Sequence, residues 1–97
     1  MSYRLTRKAV EDIIAIYEHG IRLFGTVQAE KYHFGMGKIF LLLSENPELA
    51  REREEIIPPV RVHPYGAHLI VYIVEQNKDI LIVRVRHGHE DWQEDLT

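Results

Sequence analysis

The chain has 97 residues, no cysteine and a formal net charge of −3. A chain of this length can bury one hydrophobic core, and without cysteine it has neither disulfides nor thiol chemistry. The acidic balance disfavours a protein that holds nucleic acid through its phosphates, and no segment approaches the roughly 20 apolar residues of a membrane span. We therefore expect one domain over residues 1–97, cytoplasmic, without membrane attachment or direct nucleic-acid binding.

The beginning of the chain predicts a short strand followed by an amphipathic helix. Residues 3–5 are strand-like, and Thr6 is a suitable N-cap. Apolar residues then recur at helical spacing and form one stripe: Val10, Ile13, Ile14, Tyr17, Ile21 and Phe24. This spacing predicts a helix over residues 7–24 that ends at Gly25 and packs its stripe into the core.

A second helix is predicted over residues 27–44, with Thr26 as its N-cap. Its core stripe consists of Tyr32, Met36, Ile39, Phe40 and Leu43. Gly35 and Gly37 are unusual inside a helix, and they indicate either the close approach of another backbone or a break near Gly35. Because the connection between the two helices is so short, they should form an antiparallel αα-hairpin.

The C-terminal half is dominated by two apolar runs, residues 69–74 and 80–86, on either side of a polar break. This pattern predicts a β-hairpin over residues 68–87. A loop of two or four residues places Glu75 opposite Ile80, whereas a loop of three slips the pairing by one. In the first register the core face carries Ile70, Tyr72, Val74, Leu81, Val83 and Val85. The other face then carries Leu69, Val71, Ile73, Ile80, Ile82, Arg84 and Arg86.

A further short strand at residues 60–63 completes the order β-α-α-β-β-β. The predicted fold class is α+β, an antiparallel sheet with an αα-hairpin packed on one face. The second sheet face is more apolar than an open antiparallel face usually is, and two helices cannot cover both faces. Either another part of the chain or another molecule must cover it, so Leu69, Val71 and Ile73 are candidate partner-binding residues.

Basic side chains gather at the end of this hairpin. His63, His68, His87 and His89 permit a zinc site, although spacing fixes no third ligand and a polar rim is the simpler interpretation. Arg61, Arg84 and Arg86, with His87 and Tyr65, suit RNA cleavage, recognition of an acidic partner, or salt bridges with Glu75, Asp91 or Glu94. Trp92 fits either a lid over the hairpin or an anchor for a partner. We assign no catalytic residue, metal or cofactor.

The order of motifs along nearly the whole chain resembles the ParE toxins of the ParE/RelE superfamily. The resemblance is carried by Leu5-Thr6 with Ala9 and Asp12, by residues 28–32 and 43–47, and most strongly by Tyr65-Gly66 with residues 68–72 and by residues 80–88. It implies a type II toxin that inhibits DNA gyrase by binding it, without chemistry of its own. It also implies a hetero-oligomer with a ParD-like antitoxin that covers the exposed apolar surface.

Two alternatives remain open within this superfamily. The RelE-type relatives cleave messenger RNA on the ribosome, but they tend to be strongly basic and many have arginine where this chain has His68. A member that has lost activity and only binds its antitoxin is the second alternative. For the gyrase-binding hypothesis we predict a functional surface of Arg84, Arg86, His87, His89 and Trp92, together with the apolar residues named above.

Overall fold

The computed structural model of the chain describes residues 2–88. Two helices, α1 (Arg7–Phe24) and α2 (Thr26–Glu45), form the expected hairpin. The strands are β1 (Tyr3–Leu5), β2 (Glu52–Arg53), β3 (Val60–Tyr65), β4 (His68–Val74) and β5 (Ile80–His87). Their order in the sheet is β1-β5-β4-β3-β2. The α+β class is confirmed, but the sheet is mixed because β1 pairs with β5 in parallel.

The helical hairpin turns on a single glycine. Thr6 caps α1 as predicted, its hydroxyl accepting a hydrogen bond from Ala9 N at 3.0 Å. Gly25 has a φ of +85°, a conformation open to glycine, and its N–H bonds Ile21 O at 2.9 Å. Gly25 is also the N-cap of α2, so Thr26 is already helical and its prediction as the N-cap is wrong.

Helix α2 runs through Gly35 and Gly37 without a break, and neither glycine meets another backbone. A Cβ at Gly35 would overlap the hydroxyl of Tyr65, whereas a Cβ at Gly37 would meet nothing within 4 Å. The close helix–helix approach lies instead at Gly20, where an added Cβ would stand 3.4 Å from Cβ of Ala29. The expected backbone contact is therefore wrong, and Gly35 serves to admit an aromatic side chain.

The main core lies between the helices and one face of the sheet. Its buried members include Ala9, Ile13, Met36, Phe40, Leu43, Ile70, Tyr72, Ile80, Ile82 and Val85. Tyr72 is fully buried, and its hydroxyl donates to Pro47 O at 2.9 Å and accepts from Ala50 N at 3.4 Å. Those two bonds attach the segment that follows α2 to the centre of the sheet.

Two irregularities set the register of the β4–β5 hairpin. Glu75 donates its N–H to Asp79 O at 2.8 Å, which closes a loop of three residues with Lys78 at a φ of +73°. Val74 therefore pairs with Ile80, and the two- or four-residue loop is wrong. A bulge between Val71 and Tyr72 then leaves Val83 as an extra residue on β5. Beyond the bulge the pairing is again as predicted, from Val71 with Arg84 to His68 with His87.

These irregularities also change which side chains of β5 face the core. Ile80 and Ile82 are buried in the main core, although they were predicted on the opposite face. Leu81, predicted in the core, is only half-buried. Ile82 and Val85 can both face the helices although they are three residues apart, because the bulge between them reverses the alternation.

The far face of the sheet is partly covered by the chain itself. Ile56, in the segment between β2 and β3, packs with Val60 and Val71 into a second small core, so that Val71 is fully buried. Leu69 and Ile73 pack at its margin and remain half-buried. At Val71 the first of the two alternatives therefore holds, since residues before β3 cover it, and Val71 is not available to a partner in this structure.

Candidate partner-binding surfaces

The C-terminal part of β5 is fixed by an acidic residue of α1. Arg84 makes a bidentate ion pair with Asp12, with Nε and Nη2 donating to the two carboxylate oxygens at 2.8 and 2.9 Å. Nη1 of Arg86 lies 3.8 Å from the same carboxylate. The side chains of Arg84 and Asp12 are only 11% and 14% exposed, so this pair is largely withdrawn from solvent.

The same region of α1 satisfies the backbone of β5 where β1 has ended. Thr6 donates its hydroxyl to Val83 O at 2.7 Å, and Asp12 accepts from Val85 N at 3.0 Å. Strand edges expose unpaired backbone groups, and here the side chains of Asp12 in α1 and of its N-cap, Thr6, take the place of a neighbouring strand. The sequence pattern suggested salt bridges of the arginines with Glu75, Asp91 or Glu94, and it did not single out Asp12 as a partner of Arg84.

Histidines and tyrosines form a connected cluster where α2 meets the end of the sheet at which β4 begins and β5 ends. Tyr32 donates its hydroxyl to Tyr65 O at 3.0 Å, and the same hydroxyl lies within hydrogen-bond distance of Nδ1 of His68, at 2.7 Å. Tyr65 in turn donates to Tyr32 O at 2.9 Å. The rings of His68 and His87 meet edge to face, with centroids 5.5 Å apart. Burial raises the pKa of both Tyr32 and Tyr65, so both hydroxyls remain protonated hydrogen-bonding groups at neutral pH.

Beside this cluster lies a groove of about 530 Å³, which we name the histidine groove. It runs between the helices and the end of the sheet where β4 begins and β5 ends. Its apolar wall comprises Ile13, Ala15, Ile16, Gly20, Phe24, Ala29, Met36 and Ala67, and its polar lining comprises Tyr17, His19, Arg22, Gln28, Tyr32, His33, His68 and His87. No carboxylate of the described residues lines it.

Among the helices and strands, the most exposed large apolar side chains lie on the helices. Phe34, Val27 and Phe24 are 71%, 70% and 69% exposed. Ile14 is also exposed, and with Ile13, Tyr17, Glu30, His33 and Phe34 it lines a second groove of about 400 Å³. We name the six residues that line this second groove the hairpin surface. Val10, Ile14 and Phe24 were predicted in the core and are exposed, since α1 turns only Ala9 and Ile13 fully inward.

The apolar residues on the outer side of α2 were not predicted as a contact surface from the sequence. Val27, Phe34 and Leu41 are spaced seven residues apart, and all three are exposed. This repeat places them on one side of the helix, away from the core stripe. Apolar residues on two sides of a helix would have been the signal for a second contact surface.

The structure brings together some of the predicted functional residues and separates others. Three of them lie within the last four residues of β5 and are half-buried: Arg84, Arg86 and His87. Leu69, Val71 and Ile73 lie on the second core described above, on the face away from the helices. His89 and Trp92 lie outside the described residues. Within residues 2–88 no group of three or more histidine or acidic side chains could hold a metal ion, and neither described helix could span a bilayer.

Comparison with known proteins identifies a family model and a solved structure that are similar to this chain. The sequence profile of a family described as "ParE toxin of type II toxin-antitoxin system, parDE" matches residues 3–92. The chain belongs to the ParE toxin family. A solved structure titled "Chromosomal ParDE TA system from P. aeruginosa" is similar to this ParE-family chain, with a TM-score of 0.75 and 28% sequence identity. That likeness covers 90% of this chain and 95% of the other, and no curated protein matches the sequence.

Membership of the ParE family explains the motifs that carried the resemblance in structural terms. Thr6 and Asp12 both bond the edge of β5, and Tyr65 and His68 both bond Tyr32. These residues hold the helical hairpin of this ParE toxin against its sheet. They therefore place the hairpin surface and the end of β5 relative to each other.

Proposed function

We propose that this chain is a toxin that inhibits DNA gyrase in the cytoplasm by binding it, and that a ParD-like antitoxin neutralises it in a hetero-oligomer. The observation that carries the proposal is the amount of apolar surface on the hairpin surface and at the tip of the helices. A small monomer rarely leaves phenylalanine and valine side chains about two-thirds exposed unless another protein covers them. Family membership supports an antitoxin as that protein.

The hairpin surface suits an amphipathic helix as its occupant. Phe34 and Ile14 stand on opposite sides of a shallow apolar groove between two helices, which is a recurring seat for a third helix. Glu30 and Lys38 stand beside it, and Lys38 Nζ lies 5.7 Å from the ring centroid of Phe34. We propose that the antitoxin binds here, while residues at the end of β5 and in the tail, namely Arg86, His87, His89 and Trp92, contact gyrase.

The hydrogen bonding and burial of Arg84 favour a binding function over RNA cleavage. A ribonuclease needs cations that are available to phosphate oxygens, but Arg84 donates two hydrogen bonds to Asp12 and is largely buried. Tyr32 and His68 carry groups capable of acid–base chemistry, but these groups are engaged with each other, and Tyr32 also bonds Tyr65 O at the β3–β4 turn. We therefore propose that this chain acts without a catalytic residue or cofactor.

The test is supercoiling of relaxed plasmid by purified gyrase with rising amounts of this chain. We expect dose-dependent inhibition that is reversed by the antitoxin encoded next to this gene. Full supercoiling at a large excess of the chain would contradict gyrase as the target. Cleavage of a message in a translating extract, abolished by Arg86→Ala, would establish the ribonuclease alternative instead.

The antitoxin site has its own test. We expect the double variant Ile14→Ser, Phe34→Ser to bind the antitoxin at least tenfold more weakly, because it removes two apolar anchors. Ile57→Ser is the matched control, since Ile57 is 85% exposed but lies outside the hairpin surface. Equal affinity of the double variant and the control would exclude the hairpin surface as the antitoxin site.

A further inference from the structure

The outer side of α2 carries a stripe of apolar side chains opposite its buried face. Val27, Phe34 and Leu41 recur every seven residues and are 70%, 71% and 55% exposed. With 3.6 residues per turn, Val27 and Leu41 project within about 20° of Phe34, and the core residue Leu43 projects about 180° away. We name these three residues the outer stripe. A narrow apolar seam with a seven-residue repeat is typical of a surface on which another helix packs.

Two residues of opposite charge flank the middle of the outer stripe symmetrically. Glu30 precedes Phe34 by four residues, Lys38 follows it by four, and both are exposed. They project about 40° from Phe34, on opposite sides of the outer stripe. None of the salt bridges among the described residues involves either of them, and Lys38 only stands over the ring of Phe34. Both charges are therefore open to a partner.

This pattern is complementary to itself. If two copies of α2 pack antiparallel about a two-fold axis at Phe34, each residue lies opposite the one equally far on the other side of Phe34. Val27 then lies opposite Leu41 of the second copy, and Phe34 meets its own copy at the axis. Glu30 comes beside Lys38 of the second copy, and symmetry repeats this pair. One arrangement thus buries both stripes and pairs all four charges.

The charges also select the direction of packing. A parallel pair would place Glu30 beside Glu30 and Lys38 beside Lys38, and like charges across an interface repel. In the antiparallel pair Lys31, three residues before the axis, lies opposite Gly37, three residues after it. An added Cβ at Gly37 would meet nothing within 4 Å of its own chain, so this position leaves room for a long side chain from the second copy.

We propose that two copies of this chain associate through the outer stripes of α2, antiparallel about a two-fold axis at Phe34, with Glu30 of each copy paired with Lys38 of the other. Three apolar side chains from each copy make a small interface, so we expect a dissociation constant in the micromolar range. Phe34 and Glu30 also belong to the hairpin surface. A second copy and an antitoxin on that surface therefore exclude each other, and the antitoxin would bind the separated chain. The inference itself depends on neither gyrase nor the antitoxin.

Sedimentation equilibrium of the full chain tests the proposal through a charge exchange. We expect a reversible monomer–dimer equilibrium, weakened about tenfold or more by Lys38→Glu, because two pairs of like charges then face each other. The double variant Glu30→Lys, Lys38→Glu should restore the affinity, since both pairs re-form with their signs reversed. Lys78→Glu is the matched control: it makes the same change at an exposed lysine in the β4–β5 loop and should leave the equilibrium unchanged.

Three results would overturn the proposal. The first is a chain that stays monomeric up to about millimolar concentration, far above the expected dissociation constant. The second is a double variant that associates no better than Lys38→Glu alone, since the two charges would then not face each other. The third is an equal loss in Lys38→Glu and Lys78→Glu, which would reflect net charge only. Far-ultraviolet circular dichroism checks that each variant is folded. Recovery in the double variant also separates self-association from antitoxin binding, because a partner of different sequence would not follow both changes.

Discussion

The carboxylate of Asp12 binds the guanidinium of Arg84 through two hydrogen bonds of 2.8 and 2.9 Å and also accepts the backbone N–H of Val85 at 3.0 Å. One side chain of α1 therefore holds both the side chain and the main chain of β5. Arg86, two residues on, lies near the same carboxylate. The geometry makes Arg84 a residue that positions the end of β5, and it leaves Arg86 and His87 as the stronger candidates for contact with a target.

Replacing Asp12 should destabilise the fold markedly. Asp12→Asn keeps the shape of the side chain but removes the charge that compensates the largely buried Arg84. We expect a loss of about 2–4 kcal/mol in the free energy of unfolding, measured by urea denaturation. Glu11→Gln removes the same charge from the neighbouring exposed position and should have little effect. Equal losses in the two variants would mean that Asp12 contributes only through the net charge of α1.

Replacing each of the two glycines of α2 with alanine should change the stability of the protein in opposite directions. At Gly37 an added methyl group meets open space, so Gly37→Ala should stabilise the protein by up to about 1 kcal/mol through helix propensity. At Gly35 the methyl group would overlap the hydroxyl of Tyr65, so Gly35→Ala should destabilise by about 1–3 kcal/mol. Thermal unfolding of both variants measures the difference. Stabilisation by Gly35→Ala would show that Tyr65 moves aside at no cost.

The buried tyrosines should make the protein sensitive to alkali. Burial raises the pKa of Tyr72 above its ordinary value of 10.0, so the folded state keeps the phenol protonated where the unfolded chain ionises. The stability that this provides is complete below about pH 10 and is lost as the pH rises through the folded-state pKa. Urea denaturation across this range should show the fall, and Tyr72→Phe should reduce its steepness. An identical fall in Tyr72→Phe would assign the sensitivity to other groups.

Loss of the buried hydroxyl has a second consequence at neutral pH. In Tyr72→Phe the carbonyl of Pro47 and the amide of Ala50 both lose their partner on this ring. We expect a cost of about 1–3 kcal/mol, since buried polar groups without partners carry a desolvation penalty. Tyr17→Phe is the control, because the Tyr17 ring makes an edge contact with His33 near the surface. Comparable losses would argue against a role for the Tyr72 hydroxyl.

Removing residues 89–97 should separate folding from toxicity. Both cores described above are built within residues 2–88, so the truncated chain should keep its cooperative unfolding. We expect it to arrest growth less than the full chain does when each is induced without antitoxin. Full growth arrest by the truncated chain would exclude the tail from the toxic surface. Loss of cooperative unfolding would show that the tail is part of the fold.

Local patterns were sufficient for most of the scaffold. The spacing of Ile13 and Met36, the cap at Thr6 and the glycine at 25 place both helices within two residues of their observed ends, because helix periodicity and capping depend on near neighbours. The family resemblance likewise rested on motifs that bond one another within the scaffold. The fold class followed from these elements.

Contacts between distant residues set the rest. The three-residue loop and the bulge at Val83 are separate irregularities whose effects cancel beyond Val71, and alternation alone cannot reveal either of them. Asp12 and Arg84 are 72 residues apart, so their pairing depends on where α1 lies against β5. The burial of Val71 under Ile56, and the exposure of Phe34, likewise depend on how whole elements pack. The residues of this chain thus specify its helices and strands locally, whereas packing decides which apolar surface remains for another protein.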